Sequence, residues 1–482
     1  MTFTLTSYIQ AVQQKLVSPQ EVAAAYIKKA KDNPYNAFVR THDDYVHDHV
    51  DIFSQRSLHA APIGIKDIIL TKGYETSCGS AILTGYKAPY SATCFERLEK
   101  AGGLMLWKTN MDEFAMGGSN ETSAFGPALN PYDLTRIPWW SSGGSAVAVA
   151  ADLCLAALGT DTGGSVRQPA SLCGVVWVKP TYGRVSRYGV QALSSSLDQV
   201  WTFTKTVEDA VTLLSAISWY DPYDAVMTDH DAEMETRKKA LHRDTLQGIK
   251  LAVPKQFFAA WLDSEVEALC KKTLDLLQKA GAQIDRIDLP VLQYGVPVYY
   301  ILMPADASTN LARFDGIRFG LQKEPADFDD IYAYYAAVRQ AWFGEEVMRR
   351  IFVGTYVLSA GYYDAFYHKA LQVRAQLQRD LHKVYEQYDA VVWPTSPSVA
   401  WKLWEKADDP IAMYLADIYT VIANLAGTPA LSLPIGTVVQ DGATLPVGFQ
   451  IMTTHRNEEK LFGIASVVEK LVAYTPPPVQ TA

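Results

Sequence analysis

Apolar residues recur at two different periods along this chain, and the changes of period mark its elements. Spacing of three and four residues at 207–217, 264–280 and 369–387 predicts helices with one buried face. Ser18-Pro19-Gln20-Glu21 has the form of a capping box with proline at the first helical position, which predicts a helix to about Lys31. Asn33-Pro34 ends it, because the residue before a proline is driven out of the helical region. Short apolar runs at 37–40, 430–433 and 447–452 predict strands, and a further helix begins near Asn457. Strands interleaved with helices indicate an α/β fold.

Between residues 62 and about 200 the texture changes, with frequent Gly, Ser and Thr between short apolar segments. One of these, AVAVAADLCLAALG (146–159), is apolar enough for a buried helix followed by a strand. No internal repeat and no low-complexity linker divides the chain. One domain over 1–482 is therefore expected, with 1–61 as an N-terminal helical segment and 62–200 as the core.

Composition adds the setting. With 482 residues, 49% hydrophobic and 20% charged, the chain has ample apolar mass for a large core. A net charge of −9 without any basic run argues against direct non-specific binding of nucleic acid, so an RNA partner would be held through a companion protein. The N-terminus MTFTLTSYIQ lacks a basic stretch followed by an apolar one, and runs such as 146–159 are too short to span a bilayer. Five cysteines, odd in number and without CxxC spacing, fit reduced thiols and offer no zinc site. The expectation is a cytoplasmic protein away from membranes.

Two Gly/Ser loops flank the apolar segment: Ser141-Ser142-Gly143-Gly144-Ser145 and Thr160-Asp161-Thr162-Gly163-Gly164-Ser165. A lone Gly-Gly-Ser is ordinarily a flexible turn. Two of them at the ends of a packed element instead present hydroxyls and N–H groups from a rigid base. Neither GxxxxGK[ST] nor GxGxxG occurs, which leaves a phosphate cradle without support. A serine nucleophile needs a base, yet none of the nine histidines (42, 47, 49, 59, 230, 242, 368, 382 and 455) falls between residues 60 and 229. A histidine brought in by the fold stays open, since triad members need not be neighbours in sequence.

Lys66 is the local candidate. In Pro62-Ile63-Gly64-Ile65-Lys66-Asp67 the two isoleucines share one face of a strand, and Lys66 lies on the face of Gly64, where a neighbour has room to approach. Burial disfavours the ammonium form and turns such a lysine into a base. The competing reading is a strand-end lysine paired with Asp67. Gly163, Gly164 and Ser165 would aim successive N–H groups at one point, as an oxyanion hole requires.

GIKD (64–67), SSGGS (141–145) and DTGGSVRQPA (161–170), with Ser141 and Ser165 24 residues apart, together resemble the amidase signature family. The resemblance implies a large mixed β-sheet covered by helices on both faces, and a Ser–cis-Ser–Lys catalytic unit. Ser165 would be the acylated nucleophile, Ser141 the bridging serine on a cis peptide, and Lys66 the neutral base. The oxyanion hole would fall to Thr162, Gly163, Gly164 and Ser165.

KTNMDEFAMGGSNETSAFGPALNP (108–131), VKPTYGRVSRYG (178–189), VGTYVLSAGYYDAFY (353–367) and DDPIAMYLADIYTVIANLAGTPALSLPIG (408–436) are similar, more narrowly, to the A subunits of the glutamyl/aspartyl-tRNA amidotransferases. That likeness implies glutamine as substrate and ammonia passed on to a B subunit. The B subunit would bind the mischarged tRNA and use ATP and Mg²⁺, and a C subunit would clamp the two together. No cofactor or metal is implied on this chain. Arg350, in preference to Arg349, matches the grip on the substrate carboxylate, because an arginine fork takes both oxygens. Asp417 matches the grip on the amino group, and Tyr300 and Gly117 complete the set.

Pro138-Trp139-Trp140-Ser141 departs from the family pattern, which has glycines before the bridging serine. Trp107, Trp177, Trp201, Trp219, Trp342 and Trp404 also stand where glycine is expected, Trp261 and Trp393 belong with them, and Trp401 is ambiguous. Drift does not concentrate on one exchange between the smallest side chain and the largest. The expectation is that UGA codons read as glycine in the source organism stand here as tryptophan, GGA and UGA differing by one base. Genuine indoles beside Ser141 would instead bring overpacking strain of about 1–3 kcal/mol per site and remove glycine's backbone freedom. Three functions remain in play: a glutaminase subunit, a free-standing amidase for small amides, and an assembly subunit silenced by Trp139 and Trp140.

Overall fold

The computed structural model describes residues 2–227, 240–259, 261–324 and 328–480. Its spine is an 11-stranded sheet built from β1 (Phe38–Thr41), β2 (Ala61–Lys66), β3 (Gly103–Thr109), β4 (Ala156–Asp161), β5 (Val176–Lys179), β6 (Gln199–Thr204), β7 (Lys250–Pro254), β8 (Gln283–Ile287), β9 (Ala390–Pro394), β10 (Ala430–Gln440) and β11 (Ala443–Met452). The strands lie in the order β1-β3-β2-β4-β6-β5-β10-β11-β9-β7-β8. β2 runs parallel to β3 and β4, and β7 parallel to β8 and β9, while β4–β6, β6–β5, β5–β10 and β10–β11 are antiparallel. The sheet is thus mixed, as expected. β2, β3, β4, β5, β6 and β9 are buried at every position, which a strand reaches only when both faces of its sheet are covered.

The helices follow the sequence closely. Pro19–Lys31 starts with the capping box: Ser18 Oγ accepts from Glu21 N, and the Glu21 carboxylate accepts from Ser18 N, each at 3.2 Å. Val207–Ile217, Ser264–Lys279, Lys369–Tyr385 and Glu458–Val472 occupy the predicted stretches. The segment at 37–40 becomes edge strand β1, one residue later. The strands at 430–433 and 447–452 are longer than predicted and join through Asp441-Gly442, with φ of 52° and 82°. Two left-handed residues in succession match the natural twist of a tight hairpin.

Two packing details position the site. The helix Gly143–Ala150 is made of Gly, Ser, Ala and Val, and is buried along nearly all its length beside β4. The helices Gly295–Asn310 and Glu345–Leu358 pack closely because Gly354 has no side chain; a Cβ there would sit 1.9 Å from Pro304 O. All five cysteines are free and buried. No helix among the described residues is long and apolar enough to cross a membrane.

Candidate active site

One strand end, one strand-to-loop turn and one helix start meet here. β2 ends on Lys66, β4 runs into Asp161, and the Gly143–Ala150 helix begins just after Ser141 and Ser142. Lys66 Nζ is fully buried, 2.8 Å from Ser141 Oγ, 2.7 Å from Ser142 Oγ and 3.0 Å from Thr160 Oγ1. Removal from water pushes the lysine down to about 7, against the pull of the Asp112, Asp161 and Asp198 carboxylates. A large fraction is then neutral near pH 7, the form a proton acceptor needs. Its partners are hydroxyls and a carbonyl, with no histidine among them. His230 lies outside the described residues.

The alternative pairing of Lys66 with Asp67 is not what forms. Successive side chains leave an extended chain on opposite sides, and Asp67 accepts from Ser77 N at 3.0 Å and faces Lys108 at 4.0 Å. Gly64 does not open a path to the lysine either. A Cβ there would meet Thr109 at 2.9 Å and Ala157 at 3.3 Å, so this glycine serves the packing between strands.

A neutral amine has two N–H groups and one lone pair. Ser142 Oγ donates to Thr160 O at 3.1 Å and so accepts from Lys66, while Thr160 Oγ1 takes the second N–H. The lone pair is left for the Ser141 hydroxyl. Sequence reading singled out neither Ser142 nor Thr160 for this task; the only signal was that each is a hydroxyl residue in one of the two loops.

Ser165 is in place but unengaged. Its carbonyl accepts from Ser142 N at 3.1 Å, so the two loops touch, yet its buried Oγ has no hydrogen-bond partner. The Ser141–Ser165 step of the expected relay is therefore not made. The peptide before Ser141 is trans, like every other among the described residues, which corrects the cis bond implied by resemblance. The chain turns into Ser141 through Trp139 at φ 72° and Trp140 at φ 49°, a left-handed route that replaces the cis turn.

The oxyanion set needs one correction. Gly164 N donates to Asp161 Oδ1 at 2.8 Å and is spoken for; Asp161 in turn is held by Arg167 and by Asn424 Nδ2 at 2.8 Å. Thr162, Gly163 and Ser165 remain of the four. The Thr162 hydroxyl donates to Asp198 at 2.6 Å, a carboxyl that burial raises to about 6. Gly163 O accepts from Thr420 Oγ1 at 2.8 Å, and a Cβ on Gly163 would lie 2.3 Å from the Tyr299 ring. Glycine is required there by contact alone.

Arg350, Gly117, Tyr300 and Asp417 converge beside this loop. Arg350 is buried on the Glu345–Leu358 helix, donating from Nε to Glu346 at 2.7 Å and from Nη2 to Gly117 O at 3.1 Å. The rings of Tyr300 and Tyr414 each lie 5.7 Å from its guanidinium. Asp417 Oδ2 accepts from Tyr300 at 2.6 Å, whereas its buried Oδ1 has no partner. Burial drives the Asp417 carboxyl well above the usual carboxylate range. Gln168 Nε2 donates to Ala416 O at 2.8 Å, and Thr420 reaches Gly163, so the Ala416–Tyr419 turn is tied to the Ser165 loop. Arg349 points outward, with its side chain 43% exposed. Glu346, Tyr414 and Tyr299 were missed, although an acid four residues before an arginine on a helix was a readable sign for Glu346. A cavity of about 1120 Å³ between Thr6, Arg97 and Glu469 shares no lining residue with this cluster.

Comparison with known proteins gives the family. A family profile described as Amidase matches residues 21–462. The A subunit of glutamyl-tRNA(Gln) amidotransferase from Methylobacillus flagellatus is 45% identical over 478 residues, spanning 97% of this chain and 96% of that protein. Its counterpart from Acidobacterium capsulatum is 49% identical over 428 residues, 88% of each. The crystal structure of the same subunit from Thermotoga maritima superposes with a TM-score of 0.81 at 38% identity, covering 99% of this chain and 98% of that one. The peptide amidase of Stenotrophomonas maltophilia superposes with a TM-score of 0.80 at 27% identity, covering 98% of each chain. The chain belongs to the amidase family.

Proposed function

We propose that this chain is the glutamine-hydrolysing subunit of a tRNA-dependent amidotransferase, working through a glutamyl ester on Ser165. The observation that carries the reading is the pair of buried opposite groups beside the Ser165 loop, Arg350 with a charged fork and Asp417 with one unpaired oxygen. A simple amide needs neither. Glutamine carries both a carboxylate for Arg350 and an ammonium for Asp417, and the ammonium would draw the raised Asp417 carboxyl back to its ionised form. The near-full-length likeness to the A subunits of glutamyl-tRNA(Gln) amidotransferases supports the same substrate.

In the proposed reaction Ser165 Oγ attacks the side-chain amide carbon while its proton passes to Ser141 Oγ and the Ser141 proton passes to Lys66 Nζ. N–H groups of Thr162, Gly163 and Ser165 receive the developing oxyanion. Lys66 returns a proton through Ser141 to the departing nitrogen, and ammonia leaves. Water then attacks the ester, glutamate departs, and Ser165 regains its proton.

The rest of the assembly follows from the same reading. A B subunit holds the mischarged tRNA and uses ATP and Mg²⁺ to activate it, and a C subunit clamps the pair. The acidic, cytoplasmic glutaminase chain meets tRNA mainly through B. The glutamine and asparagine tRNA species are distinguished by the partners. One domain over 1–482 fits the unbroken sheet.

A glutaminase assay of the chain alone, then with B, C and charged tRNA, tests the proposal. Ammonia release that rises with the partners is expected. Release indifferent to them would favour a free-standing amidase. The unpaired Ser165 Oγ gives the silent-subunit reading its one specific support, and folded protein inert under every condition would establish it.

A further inference from the structure

Tryptophan is a poor occupant of left-handed backbone, where its Cβ crowds the following carbonyl. Three of the chain's eleven tryptophans nevertheless sit there: Trp139 at φ 72°, Trp140 at φ 49° and Trp404 at φ 65°. Buried indoles ordinarily find an acceptor for their N–H. Those of Trp139, Trp140, Trp177, Trp201 and Trp342 find none. Trp139 and Trp140 are 0% and 1% exposed, wedged among Ile137, Leu172, Trp401 and Ala416, with the Trp139 and Trp401 ring centres 3.7 Å apart. Burial of the indoles offsets part of this, but none of these N–H groups is satisfied.

The consequence falls on the next residue. The dihedrals of Trp140 set the direction of Ser141, and Ser141 Oγ faces Lys66 at 2.8 Å while Ser165 Oγ, in the loop that Ser142 N contacts, is left without a partner. Proton transfer between two hydroxyls needs them about 2.6–3.2 Å apart. Two buried indoles restrict how far the backbone before Ser141 can shift to supply that contact. Glycine tolerates either sign of φ and has no side chain to bury.

We infer that positions 139 and 140 are glycine in the working protein, and that the two indoles are what separates the Ser141 hydroxyl from the Ser165 hydroxyl. Position 404 is glycine for the same backbone reason, which points to a single decoding difference rather than three independent changes. The inference rests on the Lys66–Ser141–Ser165 relay, and its test avoids glutamine so that the two can fail separately.

The experiment compares the parent chain, W139G/W140G and W404G by the rate at which a fluorophosphonate probe labels Ser165, located by peptide mass. The probe reads nucleophile activation whatever the acyl specificity. W139G/W140G is expected to label about 10²–10⁴-fold faster than the parent, the range that positioned acid–base assistance supplies. W404G, far along the chain and half exposed, is expected to label at the parent's rate. A folded W139G/W140G protein, judged by circular dichroism and a cooperative melt, that labels no faster than the parent overturns the inference. The mass of the peptide spanning 139–140 from protein purified from its native source is a second test that does not depend on recombinant folding: two glycines are expected, and two tryptophans refute it. Faster labelling without glutamine hydrolysis would leave this inference standing and remove the glutaminase reading.

Discussion

The two Gly/Ser loops reach the same lysine by opposite means. In the Asp161–Ser165 loop the unusual backbone angle falls on a glycine, Gly164 at φ 142°, and the turn is tied on every side by Asp161, Asn424 and Thr420. In the loop entering Ser141 the unusual angles fall on Trp139 and Trp140, whose indole N–H groups are unpaired. One loop places its unusual angle on a residue that favours it; the other places such angles on residues that resist them and whose side chains are tightly packed. A nucleophile can be well placed by its own loop and still lack activation, because activation depends on the neighbouring loop.

The largest predicted effect tests the well-held loop. In W139G/W140G protein, Ser165→Ala should lower glutaminase activity by about 10⁴-fold or more and abolish any acyl-enzyme seen by intact mass, since removal of a nucleophile removes the whole relay. Activity retained in that variant would sink the assigned role. Lys66→Ala should fall almost as far, because no histidine is present among the partners of the relay to take over the proton.

Next in size is the pair of opposite groups. Asp417→Asn should raise KM for glutamine and leave a simple ester of small acyl size unaffected, with a loss in kcat/KM equivalent to about 2–5 kcal/mol, typical of unpairing a buried charge contact. Arg350→Lys should behave similarly, since an ammonium cannot reproduce the bidentate fork. Equal losses on glutamine and on the small ester would mean that these residues support the fold and not the substrate.

Much of this was legible in sequence, and the exceptions have physical causes. The capping box at Ser18 and the helices at 207–217 and 264–279 depend on local chemistry and periodicity, so they could be read directly. The β10–β11 hairpin was read short because its distal ends are largely exposed and mix apolar with polar residues, as at Val439 and Gln440, which blurs the periodicity; Asp441-Gly442 carried the turn signal that was overlooked. Lys66, Ser141 and Ser165 lie in compact motifs that the sequence alone singles out. The commitment of Gly164 N to Asp161 is not legible in this way, since the carboxylate is fixed in part by Asn424, far along the chain, together with the nearby Arg167. Arg350 and Asp417 came only through family resemblance, because a buried arginine on an amphipathic helix has the same spacing as a surface one. The roles of Ser142 and Thr160 lie in the direction of hydrogen bonds, which no spacing encodes.

Thr160 gives a finer test of how the lysine is aimed. With Lys66 near 7, activity should climb with pH through a midpoint near 7 and level off well above it, because only the neutral amine accepts a proton. Thr160→Val removes an acceptor at 3.0 Å that favours the ammonium form, so the midpoint should move to lower pH while kcat falls about tenfold, less than the ~10²–10⁴-fold expected from losing acid–base assistance outright. Thr160→Ser should restore both. A drop in kcat with an unmoved midpoint would assign Thr160 to packing alone.

The smallest effect isolates the energetics behind the contrast between the loops. Trp404 has the same left-handed backbone as Trp139 and Trp140, at φ 65°, but its side chain is 57% exposed and it lies apart from the Lys66 cluster. Relief of left-handed strain at one non-glycine residue is worth about 1–2 kcal/mol. Glycine offsets about 0.5–1 kcal/mol of that through its freer unfolded chain. The indole, half in water, has little burial to lose. Trp404→Gly should therefore raise unfolding stability by about 1 kcal/mol or less in denaturant titration, with glutaminase activity unchanged in W139G/W140G protein. Unchanged or lower stability would mean that this chain tolerates tryptophan in left-handed turns without penalty, and the missing hydrogen bond of Ser165 Oγ would then have to come from the bulk of the two indoles and not from the backbone they impose.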